Sequence, residues 1–205
     1  MDQPALSLWR PGPARLVRLI AGLWLFGAGE AAIVEAHLGN SPWTVLAQGV
    51  ATQLPLGIGT ATVAISFLVL LAWIPLRQPP GLGTLLNALL IGVAIDATLA
   101  LLPGTDAALV RAALLAGGIA LVALGSGLYL TSHLGPGPRD GLMTGLSRRT
   151  GRSLRLWRTV IELSALVAGV ALGGVAGVGT LAFAVLIGPG VQLAVQRLCN
   201  RGERI

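Results

Sequence analysis

The stretch His37–Pro42, with the sequence HLGNSP, decides the architecture because it occurs twice: it returns as HLGPGP at His133–Pro138. The ungapped alignment of residues 29–96 with residues 125–192 holds 19 identities over 68 positions. A chain this rich in Leu, Ala and Gly would give about one identity in nine positions by chance. The chain is therefore a tandem duplication. Two further strings repeat at the same offset of 96 residues: GLGTL at 81–85 as GVGTL at 177–181, and LIG at 90–92 and at 186–188.

Composition indicates an integral membrane protein. Of the 205 residues, 54% are hydrophobic and only 11% are charged, whereas a soluble domain carries about 25% charged residues. All 14 basic residues are Arg, which excludes a Walker lysine, a Schiff base and a pyridoxal site. The single cysteine, Cys199, excludes an internal disulfide and a thiolate metal cluster. We therefore predict no metal and no cofactor, and nucleic acid is not an expected partner.

Six stretches are each close to the ~20 residues that cross a hydrocarbon core of ~30 Å. Between the first and second stretch of each repeat lies a shorter segment, 42–53 or 138–149, that begins with Pro at a plausible first helical position. At about a dozen residues these two segments are too short to cross. They are predicted to be re-entrant or interfacial helices, and the sequence favours neither alternative. The six predicted spans are about 16–38, 57–76, 82–102, 109–134, 154–172 and 178–197.

The positions of the arginines predict the topology. Thirteen of them flank the spans on one side, and only Arg111 falls on the other. This is a strong positive-inside signal for six spans with both termini in the cytoplasm. The duplicated loop 39–56 contains no Arg while its counterpart 135–152 contains four, so the two copies face opposite sides of the membrane.

The predicted fold is therefore all-α, with six transmembrane helices arranged as two inverted repeats of three, an arrangement recurrent among secondary transporters. Two such repeats could form a complete unit alone or dimerise through glycine faces. The predicted divisions are a cytoplasmic lead-in at 1–14, repeat 1 at 15–102, an external linker at 103–108, repeat 2 at 109–198 and a cytoplasmic tail at 199–205.

Longer strings carry a family resemblance: WIPLRQPPGLGT at 73–84, LGPGPRDGLM at 134–143, and GVGT at 177–180 with LIGP at 186–189. Pro42-Trp43 after Leu38-Gly39, and Arg158-Thr159 with Glu162, add to them. Over about residues 16–197 the chain resembles the YczE/YyaS/YitT-type family of bacterial integral membrane proteins, particularly its YczE-like branch. The resemblance implies a membrane protein for which transport is the candidate function.

Charged side chains within spans are costly and are therefore candidate functional groups. Glu30 lies about 18 Å into the first span, where it could couple protons to transport, or be a buried acid hydrogen bonded to Tyr129 or to a neighbouring helix. Asp96 and its inverted counterpart Gln192 could flank a cavity or cap helix ends. Glu35 is explained equally by interfacial solvation. The predicted solute or ion site comprises Glu30, Asp96, Glu35, Tyr129, Gln192 and Asn87.

Arg158 and Glu162 are spaced i, i+4, which favours a structural ion pair at the end of a span. His37 and His133 invite a metal-site interpretation, but their equivalent positions lie near opposite membrane faces, so one ion cannot bind both. A polar helix end or a pH-sensitive loop explains them better. The candidate gate motifs around them comprise His37, Gly39, Pro42 and Trp43 in repeat 1, and His133, Gly135, Pro138, Arg139 and Asp140 in repeat 2.

The two Gly-x-Gly-Thr copies resemble phosphate loops only superficially, since they open apolar helices and lack lysine. We interpret them as tight turns, capped by the threonines, that let helices pack closely. The residues are Gly81, Gly83 and Thr84 in repeat 1, and Gly177, Gly179 and Thr180 in repeat 2.

Two functions are compatible with the sequence. One is a small-solute secondary transporter with alternating access between the repeats, in which Glu30 and Asp96 face a central cavity. The alternative is a non-transporting accessory or regulatory protein that acts through its arginine-rich cytoplasmic loop. An enzyme is not expected, because neither His-Glu-x-x-His nor Gly-x-Ser-x-Gly occurs. The expected partners are membrane lipids, a small solute and, as an open option, a second copy of the chain.

Overall fold

The computed structural model describes the backbone of residues 7–202 and the side chains of residues 7–199, and its regular secondary structure is helical throughout. Parts of the predicted lead-in and tail, residues 1–6 and 203–205, lie outside the described residues. The helices are α1 (Pro13–Glu35), α2 (Pro42–Gln53), α3 (Ile58–Leu71), α4 (Trp73–Leu76), α5 (Leu82–Leu99), α6 (Ala108–Leu130), α7 (Pro138–Thr150), α8 (Leu154–Ala171) and α9 (Val178–Gly202).

Five helical stretches are long and apolar enough to cross a membrane. The helical fold is thereby confirmed, and the length and composition of these five helices fit an integral membrane protein. The sixth expected span forms a helix, α8, but that helix carries Arg155, Arg158 and Glu162 and is not among the five, so a sixth crossing stays a prediction. The five stretches are Pro13–Glu35, Ile58–Leu76, Leu82–Leu99, Ala108–Leu130 and Val178–Cys199.

The central element is an antiparallel pair formed by α1 and α6. Gly22 of α1 faces Gly125 of α6, and Gly29 faces Gly118, so closely that a Cβ on any of the four would overlap atoms of the other helix. Small residues let helix backbones approach in this way where lipid offers no hydrophobic driving force between helices. Two further spans pack against this pair, α5 against α1 and α9 against α6, and α3 packs against α5.

Each helix of the central pair carries an arginine that caps the other. Arg15 Nε and Nη2 donate to the carbonyl oxygens of Ser132 and His133, at 2.9 and 2.8 Å, beyond the C-terminus of α6. Arg111 donates in the same way to Ala36 and His37 beyond α1, both at 2.7 Å. A cation at a helix C-terminus satisfies unpaired carbonyls and complements the helix dipole. Arg111, the lone arginine on its side of the predicted topology, therefore has a structural role.

The same two turns contain the residues with left-handed backbone. His37 and His133 have φ of 51° and 53°, and Gly39 and Gly135 have φ of 105° and 113°. Histidine visits this region more often than most residues with a Cβ. Both histidine side chains are exposed, which supports their interpretation as polar helix ends.

The two Gly-x-Gly-Thr motifs do more than open helices. The Gly83 amide, at the start of α5, donates to the Leu134 carbonyl at 2.8 Å, and the Gly179 amide, at the start of α9, donates to the Leu38 carbonyl at 2.7 Å. A Cβ at Gly83 or Gly179 would crowd the same loop, so glycine is required for the close approach. Each motif thus docks on the turn formed by the repeated HLG string of the other half.

Candidate functional site

The Pro-led helices α2 and α7 begin next to each other inside the protein. In both, Pro occupies the first turn, where its missing N–H and fixed φ are tolerated. The guanidinium carbon of Arg139 lies 4.9 Å from the ring centroid of Trp43, a cation–π contact between the second residues of the two helices. Trp43 and Arg139 stand 96 residues apart, which is the offset of the duplicated strings, although the sequence analysis did not pair them.

Repeat 1 holds the start of α7 in place. The indole Nε1 of Trp73 donates to the Pro138 carbonyl at 2.9 Å, and Trp73 is buried. Gly141 lies against the Trp73 ring, where a Cβ would overlap the indole carbons. Trp73 therefore holds the first turn of α7 through both a hydrogen bond and a close packing contact.

A cavity of about 420 Å³ lies where α2 and α7 meet, and helices α1, α5, α6, α8 and α9 complete its wall. Its volume falls within the range of ligand pockets, roughly 300–1,000 Å³. The apolar wall includes Phe26, Ile91, Val122, Met143, Phe183 and Ile187, and the polar wall includes Asn87, Ser126, Tyr129, Arg139, Asp140, Arg158 and Glu162.

The acidic groups at this site all have partners. Both carboxylate oxygens of Glu30 accept from Ser41 Oγ, at 3.0 and 2.9 Å, and one accepts from Thr44 Oγ1 at 2.8 Å. Glu30 is buried and binds the first turn of α2. It does not line the cavity, so the prediction that it faces the cavity is wrong. The alternative in which Glu30 is hydrogen bonded to Tyr129 is wrong, because the Tyr129 hydroxyl donates to Asp140 instead.

The predicted ion pair between Arg158 and Glu162 forms, with Nε and Oε1 3.1 Å apart. Both side chains line the cavity and remain partly exposed, at 57% and 36% of their surface. An exposed i, i+4 pair contributes only about 0.3–0.5 kcal/mol to stability, so its position on the cavity wall is more informative than its strength.

The cationic group of Arg139 differs from these, because its guanidinium makes no hydrogen bond with any residue that the structure describes. Burial lowers the pKa of Arg139 from its usual value, while the negative charges of Glu30 and Asp140 act in the opposite direction. Arginine side chains stay protonated in proteins, so the group remains a cation. The buried ring nitrogen of Trp43 also has no hydrogen-bond partner among the described residues. The meeting point of α2 and α7 therefore presents uncommitted donors.

Asp96 does not line the cavity, so the prediction that it faces the cavity is wrong. Its Oδ1 accepts from the Gly59 amide at 2.7 Å, and its Oδ2 accepts from the amide and hydroxyl of Thr60, at 2.9 and 3.0 Å. A carboxylate satisfies the free N–H groups of a helix start and complements its dipole. Asp96 thus has the capping role that the sequence left open.

The other predicted site residues are scattered. Asn87 and Tyr129 line the cavity. Glu35 is half-buried, and its carboxylate lies near Gly104, between α5 and α6, rather than at the cavity. Gln192 is exposed and is not part of the cavity wall, so it does not mirror Asp96.

Sequence reasoning missed the aromatic and hydroxyl groups of the cavity, namely Phe26, Ser41, Ser126 and Phe183. No charge or motif marks them. The one available signal was the offset of 96 residues. It relates Glu30 to Ser126 in the same way as it relates Trp43 to Arg139.

Comparisons with known proteins agree on the family. Residues 13–196 match the model of the family of unknown function DUF6198. A protein of Haemophilus influenzae, named only as uncharacterized, is 43% identical over 188 residues, which cover 92% of this chain and 86% of that protein. The uncharacterized membrane protein YczE of Bacillus subtilis is 33% identical over 170 residues, covering 82% of this chain and 79% of YczE.

A second Bacillus subtilis protein, YyaS, is 28% identical over 164 residues, which cover 78% of this chain and 82% of YyaS. No solved structure matches. The helical fold, the apolar spans and these similarities lead to one conclusion. The chain belongs to the DUF6198 family, a YczE-like family of membrane proteins.

Proposed function

We propose that this protein is a bacterial inner-membrane transporter of a small solute, with both termini in the cytoplasm. It works by alternating access between two inverted three-span repeats. One observation carries the proposal: a cavity of about 420 Å³ lies among the spans where α2 and α7 begin, and its wall contains the uncommitted cation of Arg139.

Matched contacts support the inverted repeats. The bonds from Arg15 and from Arg111 join equivalent atoms 96 residues apart, as do the bonds from Gly83 and from Gly179. Because α1 and α6 run antiparallel, the two members of each matched set lie at opposite ends of the molecule. Two copies of one unit with opposite orientations account for this pattern more simply than two unrelated folds.

The short helices α2 and α7 suit the role of paired gates. In inverted-repeat transporters, broken helices approach the membrane midplane and direct their N-termini, which carry partial positive charge, toward the solute. The Arg139–Trp43 contact supports the re-entrant alternative for both segments over a position flat in the interface. Rocking of one repeat would separate or close the two N-termini and so open the cavity to one side at a time.

A binding screen tests the proposal. Purified protein would be screened by thermal unfolding against metabolites, amino acids, lipids and antibiotics, and hits would be followed by flux into proteoliposomes. A ligand at 100 times its dissociation constant stabilises the folded state by about 2.7 kcal/mol. We expect Arg139→Gln to abolish both the thermal shift and the flux.

The matched control is Arg148→Gln, since Arg148 is an exposed arginine of the same helix outside the cavity wall. It should retain binding and flux. Flux that is equal in wild type and Arg139→Gln would refute the site, and the absence of flux for every ligand that binds would refute transport.

An accessory function without transport is the second candidate. The observation that favours it is that the side chains of Arg148, Arg152 and Arg155 are exposed and bind no residue that the structure describes. Under this alternative, changing all three to Gln would abolish the cellular phenotype, whereas Arg139→Gln would leave it intact. Neither candidate involves an enzymatic reaction.

A further inference from the structure

The cavity has one wall that is open. Helices α3 and α5 pack tightly through Gly59 and Gly92, where a Cβ on either residue would overlap the carbonyl of the other. Their equivalents at the offset of 96 residues lie in α8 and α9, and those two helices do not pack along each other. Instead, α8 packs against α2 and α7, while α9 packs against α6.

The sequence explains the difference. The residue equivalent to Gly59 is Arg155, whose side chain prevents backbone approach, and Asp96 is replaced by Gln192. Gly188 is the equivalent of Gly92, and no atom of the described residues lies within 4 Å of the position that its Cβ would occupy. A gap therefore separates α8 from α9.

The gap is continuous with the cavity. The cavity wall includes Arg158 and Glu162 from α8, and Phe183, Ile187 and Gly188 from α9. Because α9 is long and apolar enough to span the membrane, an opening alongside it at this level faces lipid. Both helices expose apolar side chains, namely Val160, Leu163 and Val167 on α8 and Val185, Leu186 and Leu193 on α9.

The charges within the cavity select the ligand's headgroup. On the cavity wall, Asp140 is hydrogen bonded by Tyr129, and Glu162 is paired with Arg158. Glu30 is buried outside that wall, where it binds Ser41 and Thr44. Arg139 is the charged group of the described cavity wall that has no such partner. It lies at the N-terminal ends of two helices, which add positive potential. The ring nitrogen of Trp43, which has no partner in the described part of the chain, lies beside it.

We propose that the cavity binds a single-chain amphiphile with an anionic headgroup, a carboxylate or a phosphate. Arg139 and the first turns of α2 and α7 hold the headgroup. The chain lies along Phe26, Phe183 and Ile187 and leaves between α8 and α9 into the bilayer. This inference rests on the proposed transport site and adds its substrate class and its route of entry.

Photo-crosslinking in lipid nanodiscs tests the inference. The probe is a twelve-carbon carboxylate with a diazirine on its chain, and labelled peptides are mapped by mass spectrometry. We expect labelling of α8 and α9 residues on the gap, reduced at least tenfold in Arg139→Gln. Unlabelled dodecanoate and dodecyl phosphate, as competitors, distinguish the two headgroups. Dodecyltrimethylammonium, acetate and inorganic phosphate should compete poorly.

A second variant tests the route. Gly188→Phe should fill the gap and reduce labelling at least tenfold without a loss of thermal stability. Gly117→Phe is its matched control, since Gly117 also has open space at its Cβ position but is not part of the cavity wall. Equal labelling of wild type and both cavity variants, or full competition by the cationic amphiphile, would overturn the inference.

Different results would contradict the inferred ligand and the proposed transport function. Flux of a water-soluble solute that requires Arg139, with no labelling by the amphiphile, would keep transport and exclude this substrate class. Labelling that requires Arg139, with no flux of the amphiphile, would keep the ligand and exclude transport.

Discussion

The α3/α5 pair and the α8/α9 pair occupy equivalent places in the duplicated sequence, yet one is closed and the other is open. In the first, Gly59 and Gly92 bring two backbones into contact, and Asp96 caps α3 across the joint. In the second, the equivalent positions hold Arg155, Gly188 and Gln192, and the helices stand apart.

This difference indicates that a duplicated sequence can diverge at a helix contact that does not join its two halves. The contacts that join the two halves, such as the arginine caps and the glycine–loop bonds, are kept in both copies. Within each half, the packing of α1 on α5 and of α6 on α9 is kept, whereas the contact of α3 with α5 has no counterpart between α8 and α9. That one difference leaves a joint of the cavity wall open. Three comparisons of matched variants test this account.

The largest effect is expected from Gly59→Leu. Its side chain would overlap the Gly92 carbonyl and the Asp96 carboxylate, and overpacking of this kind costs about 1–3 kcal/mol. Gly188→Leu, its partner in repeat 2, should change stability by less than about 0.5 kcal/mol because its Cβ meets open space. Unfolding by SDS titration measures both free energies. Equal losses in the two variants would show that the α8/α9 joint is closed in the membrane.

A smaller effect is expected from Asp96→Asn. The substitution removes the charge from a cap that accepts three hydrogen bonds, which should cost about 1–2 kcal/mol. Gln192→Ala should be nearly neutral, since Gln192 is exposed. The same titration measures this pair. A neutral Asp96→Asn would mean that the cap does not hold α3 to α5.

The smallest loss of stability is expected from removing the arginine caps, and it should be equal in the two repeats. Arg15→Gln and Arg111→Gln each remove two bonds to helix-end carbonyls, and hydrogen bonds between membrane helices average about 0.6 kcal/mol. Each variant should therefore lose about 1 kcal/mol, and the two losses should agree. Comparing their melting temperatures in detergent is sufficient. A large difference between them would contradict the equivalence of the two helix ends.

Much of the secondary structure could be predicted because hydropathy, Pro and Gly act locally. The predicted segment 42–53 is α2 without change, and the segment 138–149 is one residue shorter than α7. In the candidate site, Asn87 and Tyr129 line the cavity as predicted, whereas Glu30 and Asp96 do not. The error arose because a carboxylate near a helix end can serve a cavity or a cap, and only its neighbours decide.

The sequence alone determined the membrane class, the duplication and the places of its repeated strings, since these depend on composition and on order along the chain. Only the tertiary structure decided which charges face the cavity and which joint of its wall is open. Glu30 accepts hydrogen bonds from Ser41 and Thr44, and Asp140 accepts one from Tyr129. Arg139 instead makes a cation–π contact with the ring of Trp43. Such pairings depend on how closely separate helices approach, and that distance is set by packing across the whole bundle rather than by any local stretch.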